Sequence, residues 1–334
     1  MASIRQSGER RDNIAAIVAF IRKNKKATRM ELCSSLSLSW ACVSDLVALL
    51  MEERILMESA QESNRTSIAK GRTPTLLSLN EQKYFLGVDI NDSGVAITTL
   101  SMSGKQIASH KWAEEPIESE AALIRSVCDK VASMLSDGEN CCGIGVAMEG
   151  RRAADGGWLY PMKHGCVSIS PGMFLAREFG LPVSVRHDPE CVLYSVAPHP
   201  ADRIAVRVDK WIGVAAMKGE KILELPLELG WIRYGEKKLQ DILRNCASKG
   251  DYHEIAEALG FSVGNLTHLL GIDRCFLAGE GIEWFEELTD LFGTALRQAN
   301  PNAKYEICVI TDASDGAARL AMADYPFQGK IMGK

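Results

Sequence analysis

A chain of 334 residues, 46% hydrophobic and 24% charged, has the composition of an ordinary globular protein with two or three structural units. No stretch approaches the roughly 20 consecutive apolar residues that cross a bilayer, so no membrane partner is expected. The net charge of −5 divides unevenly: residues 1–80 carry 12 Lys and Arg against 8 Asp and Glu, whereas the remainder carries 26 against 35. A basic head on an acidic body predicts that the head meets a polyanion.

The opening MASIRQSGERRDNI has no apolar core of a secretory signal, which predicts an intracellular, cytoplasmic protein. Ten cysteines lie at 33, 42, 128, 141, 142, 166, 191, 246, 275 and 308, with no C-x-x-C pair. In a reducing compartment they are expected to act as small buried hydrophobes rather than as disulfides or metal ligands.

In chain order, a first helix is predicted over about Asp12 to Lys23, where Ile14, Ile17, Val18 and Ile21 recur at helical spacing. A short second helix opens on Thr28-Arg29-Met30-Glu31, a capping-box pattern, and ends near Ser35. After the turn Leu36-Ser37-Leu38, a third helix starts at the N-cap Ser39 and runs to about Glu53 with Val43, Leu46, Val47 and Leu50 inward. That leaves Trp40, Ala41, Ser44, Asp45 and Ala48 on or near its exposed face. Two helices joined by so short a turn form a helix-turn-helix candidate, the second of which reads base edges in the major groove of double-stranded DNA.

Strands at Ile55–Glu58 and Thr75–Leu79, with a polar tip between them, would complete a wing. Arg65, Lys70 and Arg72 on that wing, with Arg29, are candidates for phosphate or minor-groove contacts. Two residues sit awkwardly. The charge of Asp45 repels phosphate, although an Asp can accept from cytosine N4. Trp40 suits either thymine methyls or a protein core. A three-helix unit used only for protein contacts is the plainer reading of the same pattern.

Asn13 to Asn80 resembles the winged helix of the ROK family (repressor, open reading frame, kinase). The register Ser39-x-x-Cys42-Val43-Ser44-x-Leu46-Val47 is similar to that family's recognition helix, with Cys42 where Thr is usual. Gly71-Arg72-Thr73-Pro74 followed by Leu77-Ser78-Leu79-Asn80 is similar to its Gly-Arg-Pro and Leu-x-Leu-Asn ending. The resemblance runs over nearly the whole chain. It implies an α/β fold: an N-terminal winged helix-turn-helix over 1–80, then a two-lobed actin-like, hexokinase-like (ribonuclease H-like) body. Lobe I would span 81–200 with a C-terminal helix at about 311–334 folding back onto it, and lobe II 201–310.

Against that family the body reads as eroded. Strands at Tyr84–Ile90 and Gly94–Leu100 flank the turn Asn91-Asp92-Ser93, where the family has a Gly-rich phosphate loop. Such loops need small residues and free amides, and Asp92 adds negative charge. Asp89 persists, but a strand-end Asp is also a simple polar cap. Between strands Ile204–Val208 and Gly213–Met217 the family's Gly-Thr-Gly-Ile-Gly is replaced by Asp209-Lys210-Trp211-Ile212-Gly213. Gly279 and Gly281 resemble adenosine-side glycines, with a backbone explanation equally open.

On the sugar side, His187-Asp188-Pro189-Glu190 resembles the family's Asn-Asp-Ala-Asn, whose Asp serves as general base. Leu227-Glu228-Leu229-Gly230-Trp231 resembles Gly-Glu-x-Gly-His, with Trp231 in place of a His that contacts sugar and zinc. Glu149 stands where Pro is usual and Cys166 where a Trp often closes the pocket. The stretch Ile232 to Asn245 contains none of the family's zinc cysteines, so no zinc and no other cofactor are expected. Glu149, His187, Asp188 and Glu228 remain candidate sugar contacts, and inherited scaffold is the alternative for Asp188 and Glu228. His164 and His187 as lone imidazoles are more often structural. Helices are predicted at Glu120–Ser136, Met173–Phe179, Tyr252–Leu270, Glu283–Gln298 and Ala313–Ala323.

The resulting expectation is a DNA-binding regulator, a repressor by the habit of the resembling family. It acts on carbohydrate-related genes as a homodimer or higher homo-oligomer, with a sugar or sugar phosphate as effector and with no kinase activity. A sugar kinase with an accessory DNA-binding domain and a ligand-independent DNA-binding or interaction protein are the alternatives.

Overall fold

The computed structural model describes all residues except 1, 60–74, 92, 114–117, 136–137, 151, 163, 197–200, 220, 224–227, 280–283, 309, 311 and 326–334, together with the side chains of 2–8 and 59. The N-terminal unit comprises α1 (Ala2–Asn24), β1 (Lys26–Thr28), α2 (Arg29–Leu36), α3 (Trp40–Glu52), β2 (Leu56–Ser59) and β3 (Leu76–Leu79). Helix α1 begins ten residues before the expected Asp12. Ile14, Ile17, Val18 and Ile21 are all buried, as their spacing requires. The capping box forms as expected: Thr28 Oγ1 accepts from the Glu31 amide, and the Glu31 carboxylate accepts from the Thr28 amide at 2.7 Å.

Ser37, in the left-handed region at φ 56°, turns the chain, and Ser39 caps α3 by accepting from the Cys42 amide. The predicted stripe Val43, Leu46, Val47 and Leu50 is buried; each such side chain contributes roughly 1.5–3 kcal/mol. Strand β1, which the sequence pattern does not reveal, pairs antiparallel with β3, and β3 with β2, giving the order β1-β3-β2. Three residues are too few for a periodicity to be visible.

The body holds two sheets built on one plan. The first contains β4 (Tyr84–Asn91), β5 (Gly94–Ser101) and β6 (Gln106–Ala113), an antiparallel meander; after α4 (Glu120–Met134) come β7 (Cys141–Met148), the hairpin β8 (Trp158–Met162) and β9 (Gly165–Ile169), α5 (Pro171–Phe179), β10 (Val183–His187) and α6 (Asp188–Val196). Its order is β10-β7-β4-β5-β6, with β4, β7 and β10 parallel. The second contains β11 (Arg203–Val208), β12 (Ile212–Lys218) and β13 (Lys221–Ile222), followed by a 3₁₀ turn (Leu229–Trp231), a small hairpin of β14 (Arg233–Tyr234) and β15 (Lys237–Lys238), then α7 (Leu239–Lys249), α8 (His253–Leu270), β16 (Arg274–Ala278), α9 (Phe285–Ala299) and β17 (Lys304–Ile307). Its order, β13-β12-β11-β16-β17, repeats the first, again with an antiparallel meander followed by parallel strands. Strands β4 and β7 are buried on both faces, which is why they read as apolar runs rather than alternations.

Helix α10 (Ser314–Asp324) closes the chain and packs on β4, β5, β7 and α6 of the first lobe. Two glycines permit this: a Cβ on Gly87 would lie 1.9 Å from the Ser314 carbonyl oxygen, and one on Gly145 1.7 Å from that of Ala317. The C-terminal half of α10 joins another core. Ala318, Ala321 and Met322 cluster with Phe85, Leu100 and Met102 of the first lobe and with the buried residues of α1, α3 and β3. Asn80 donates to the Arg54 carbonyl at 2.9 Å, and Arg22 to that of Met102 at 3.2 Å. The N-terminal unit is therefore packed onto the first lobe.

Candidate functional site

On the N-terminal unit the exposed face of α3 carries Trp40, Ala41, Asp45 and Ala48, with Ser44 half-buried beside them. Trp40 is 58% exposed, which removes the reading of it as a core residue. Ser39 is exposed but its hydroxyl is engaged as the helix cap. Arg29 is half-buried, with Nη2 3.8 Å from Met51 Sδ. Arg65, Lys70 and Arg72 lie outside the described residues.

The second site lies at the carboxyl ends of the parallel strands, where α/β sheets bind ligands. Asp89 lies on β4, two residues before its end, and is fully buried, so it is no surface cap. Glu149 follows β7, and its amide donates to the Ile90 carbonyl. His187 ends β10, pairing with Met148 in the register, and Asp188 opens α6. The His187 Nε2 lies 3.2 Å from Asp188 Oδ1, and the ring stacks on Trp158 at 6.1 Å between centroids. Burial pushes the His187 pKa below its ordinary value despite the nearby Glu228 and Glu190 carboxylates. Glu228 precedes the 3₁₀ turn, its carbonyl accepting from the Trp231 amide. His187, Asp188 and Glu228 thus come together, while His164 is exposed. The chain at 232–245 forms β14, β15 and the first part of α7. The buried-hydrophobe reading of the cysteines fails at Cys166, which is exposed on β9.

The residue at the centre of the cleft is one that sequence reasoning passes over. Arg207, on β11 and 4% exposed, places Nε 2.5 Å from Asp209 Oδ2, Nη1 3.1 Å from Asp188 Oδ2 and Nη2 3.4 Å from Asp89 Oδ2. The Ala313 amide, just ahead of α10, adds a 2.9 Å donor to Asp89 Oδ2, yet Asp89 Oδ1 has no hydrogen-bond partner. Burial raises the Asp89 carboxyl above its usual range and pushes that of Asp188 up to about 7, with Arg207 opposing both. An Arg inside an apolar strand next to a loop with an acidic residue is the one signal the sequence offers.

The guanidinium lies between Asp89 and Asp188 and is ion-paired with both. The surviving glycines have structural reasons: a Cβ on Gly213 would meet Pro189 Cγ at 2.6 Å, and Gly279 adopts φ 121° with the Val208 carbonyl oxygen 2.4 Å from where its Cβ would be. Gly281 lies outside the described residues, as does Asp92. Among the described residues no group of three or more His, Cys, Asp or Glu is placed to hold a metal ion, and Trp231 stands exposed at the position of the resembling family's zinc His. No described helix is long and apolar enough to cross a membrane.

No family model matches the chain. An uncharacterized protein, y4fQ, of Sinorhizobium fredii is 28% identical over 142 residues, which is 41% of this chain and 35% of that protein; the match thus spans about a third of the relative's length. Among solved structures, a ROK family transcriptional regulator, described as a homologue of the E. coli MLC protein, superposes with a TM-score of 0.77 at 14% identity, over 97% of this chain and 99% of its own. A ROK hexokinase from Thermus thermophilus (TM-score 0.58, 14% identity, 72% of this chain and 97% of its own) is also similar. So is a ROK family glucokinase from Streptomyces griseus in complex with glucose and AMPPNP (0.55, 17%, 71% and 98%). The chain has the ROK fold. The kinases correspond to about three quarters of it, and only the regulator among these three extends over nearly all.

Proposed function

We propose that this chain is a DNA-binding transcriptional regulator of the ROK type. In this reading the N-terminal unit is a winged helix-turn-helix whose α3 enters the major groove, and the body is a two-lobed scaffold without kinase activity. The observation that carries the reading is the face of α3. A tryptophan, two alanines, a serine and an aspartate project from a helix that is fully packed on its other side and preceded by the short turn at Ser37, with a large aromatic left in water. Exposed aromatic area on a rigid, otherwise saturated unit is what an interaction surface requires. The fold shared with a regulator over 97% of the chain supports it. The domain limits 1–80, 81–200 and 201–310 with the final helix returning to the first lobe, the homodimer, the repressor role and a sugar or sugar-phosphate effector held by Glu149, His187, Asp188 and Glu228 belong to the same proposal.

Selection from random duplex DNA with the whole protein, followed by anisotropy titration over a range of salt, tests it. Enrichment of a two-fold related site bound at least about 10³-fold more tightly than random DNA is the expected result. No enrichment, with weak binding that falls steeply with salt, would reduce the unit to phosphate attraction and refute the reading.

One observation favours a kinase instead. Asp188 opens α6 in the cleft with its carboxyl pushed up to about 7, near the value that suits a general base at neutral pH. Against it, Arg207 is ion-paired with that carboxylate at 3.1 Å. An ADP-release assay over hexoses, hexosamines and pentoses decides: turnover abolished by Asp188→Asn would establish the kinase, and its absence is expected.

A further inference from the structure

We infer that Arg207 is a built-in cation that latches the two lobes together. The pairing joins separate sheets. Arg207 and Asp209 belong to β11 and the loop after it in the second lobe, whereas Asp89 lies on β4 of the first and Asp188 opens α6, the helix that follows β10 and packs against β11 and β12. The Asp89 and Asp188 carboxylates are nearly free of solvent and draw their favourable charge from this guanidinium. Three carboxylates surround one cation, and Asp89 Oδ1 is left without any donor although fully buried. Three carboxylates this close need protons or a cation to offset their repulsion, and here the chain provides a cation itself.

The latch is also attached to the helix that the N-terminal unit rests on. The oxygen of Asp89 that faces Arg207 accepts from the Ala313 amide, and the Ser314 hydroxyl lies 2.7 Å from that of Thr98 on β5. From there α10 runs to Ala318, Ala321 and Met322 in the core shared with α1 and α3. The position of the second lobe is therefore fixed against the same helix that supports the N-terminal unit, with no ligand needed.

Chemical rescue tests this on the whole chain, with neither DNA nor sugar present, so its outcome is independent of the regulator reading. Arg207→Ala leaves a guanidinium-shaped gap lined by Asp89, Asp188 and Asp209. At neutral pH its Tm should lie well below that of the wild type. Methylguanidinium at about 20 mM should raise it by roughly 2 °C or more by mass action, while leaving the wild type unmoved or slightly lowered. Urea and sodium chloride at the same concentration are the controls. A variant as stable as the wild type, or one that responds to methylguanidinium no more than the wild type does, overturns the latch. If Arg207→Ala does not fold, the pair Arg207→Met and Asp89→Asn/Arg207→Met replaces it. Removing one charge of each sign should recover stability over the single change, and a double variant no more stable than Arg207→Met refutes the proposal.

Discussion

Replacing Asp188 by Asn should remove a pH dependence that the wild type carries. Desolvation is the largest influence on this carboxyl, and Arg207, 3.1 Å away, only partly offsets it, which leaves the group at about 7 in the folded protein. In the unfolded chain an Asp titrates at about 3.9. The folded state therefore holds the proton more tightly. The stability this confers is fully present below the unfolded value and is lost as pH rises through about 7. At about 1.4 kcal/mol per pH unit, the loss between about pH 5 and pH 8 approaches 2–3 kcal/mol. The amide of the Asp188→Asn variant cannot ionise and escapes it. Urea unfolding of both proteins at about pH 5, 6, 7 and 8 gives the comparison directly. The difference in unfolding free energy, variant minus wild type, should grow by about that amount across the series and level off above pH 8. A difference constant with pH would mean that Asp188 ionises at an ordinary value, and with it the account of a desolvated carboxyl in the cleft would fall.

Gly87→Ala sets a Cβ 1.9 Å from the Ser314 carbonyl oxygen and 2.3 Å from the Ala318 amide nitrogen. Because these are backbone atoms of α10, the cost should reach about 3 kcal/mol, the upper end for overpacking, whereas Gly138→Ala, with nothing within 4 Å, should be neutral in the same urea titration. Trp40→Ala should weaken binding to a selected DNA site about tenfold or more while leaving Tm within about 1 °C, since the ring is 58% exposed; a large Tm drop with unchanged binding would refute its role. Asp45→Asn, on the same exposed face, should tighten binding to random duplex by removing a repulsive charge, read as a lower Kd at low salt. Arg22→Met leaves the Met102 carbonyl without its 3.2 Å donor and should cost about 1 kcal/mol, with faster amide exchange in α1 as the local readout.

The sequence by itself determined the parts of this protein that depend on near neighbours. The stripes of α1 and α3, the Thr28 capping box, the Ser39 cap and the hairpin of β4 and β5 are set by side chains within one or two turns or by one apolar strand meeting the next, and they are legible in the order of residues alone. The face of α3 is legible for the same reason, because fixing the buried stripe fixes the rest of the helix. Short elements escape: β1 and β13 span three and two residues and exist because neighbours pair with them. Helix α6 is obscured because Asp188 and Pro189 at its start look like a loop until the end of β10 presents them.

Only the tertiary structure decided the cleft. Asp89 and Arg207 are 118 residues apart in the chain, and Asp89 and Ala313 are 224 apart. No local pattern distinguishes an Arg that turns into a buried carboxylate cluster from one at a strand edge, since the difference lies in which strands the two sheets bring face to face. The same holds for Gly87 and Gly145. In the sequence they are gaps in apolar strands that a β-propensity argument counts as weakness, and in the fold they are the surface on which α10 lies. Burial of charge is a property of the assembled lobes, and it is the physical reason that the chemistry of this cleft becomes readable only once they are in place.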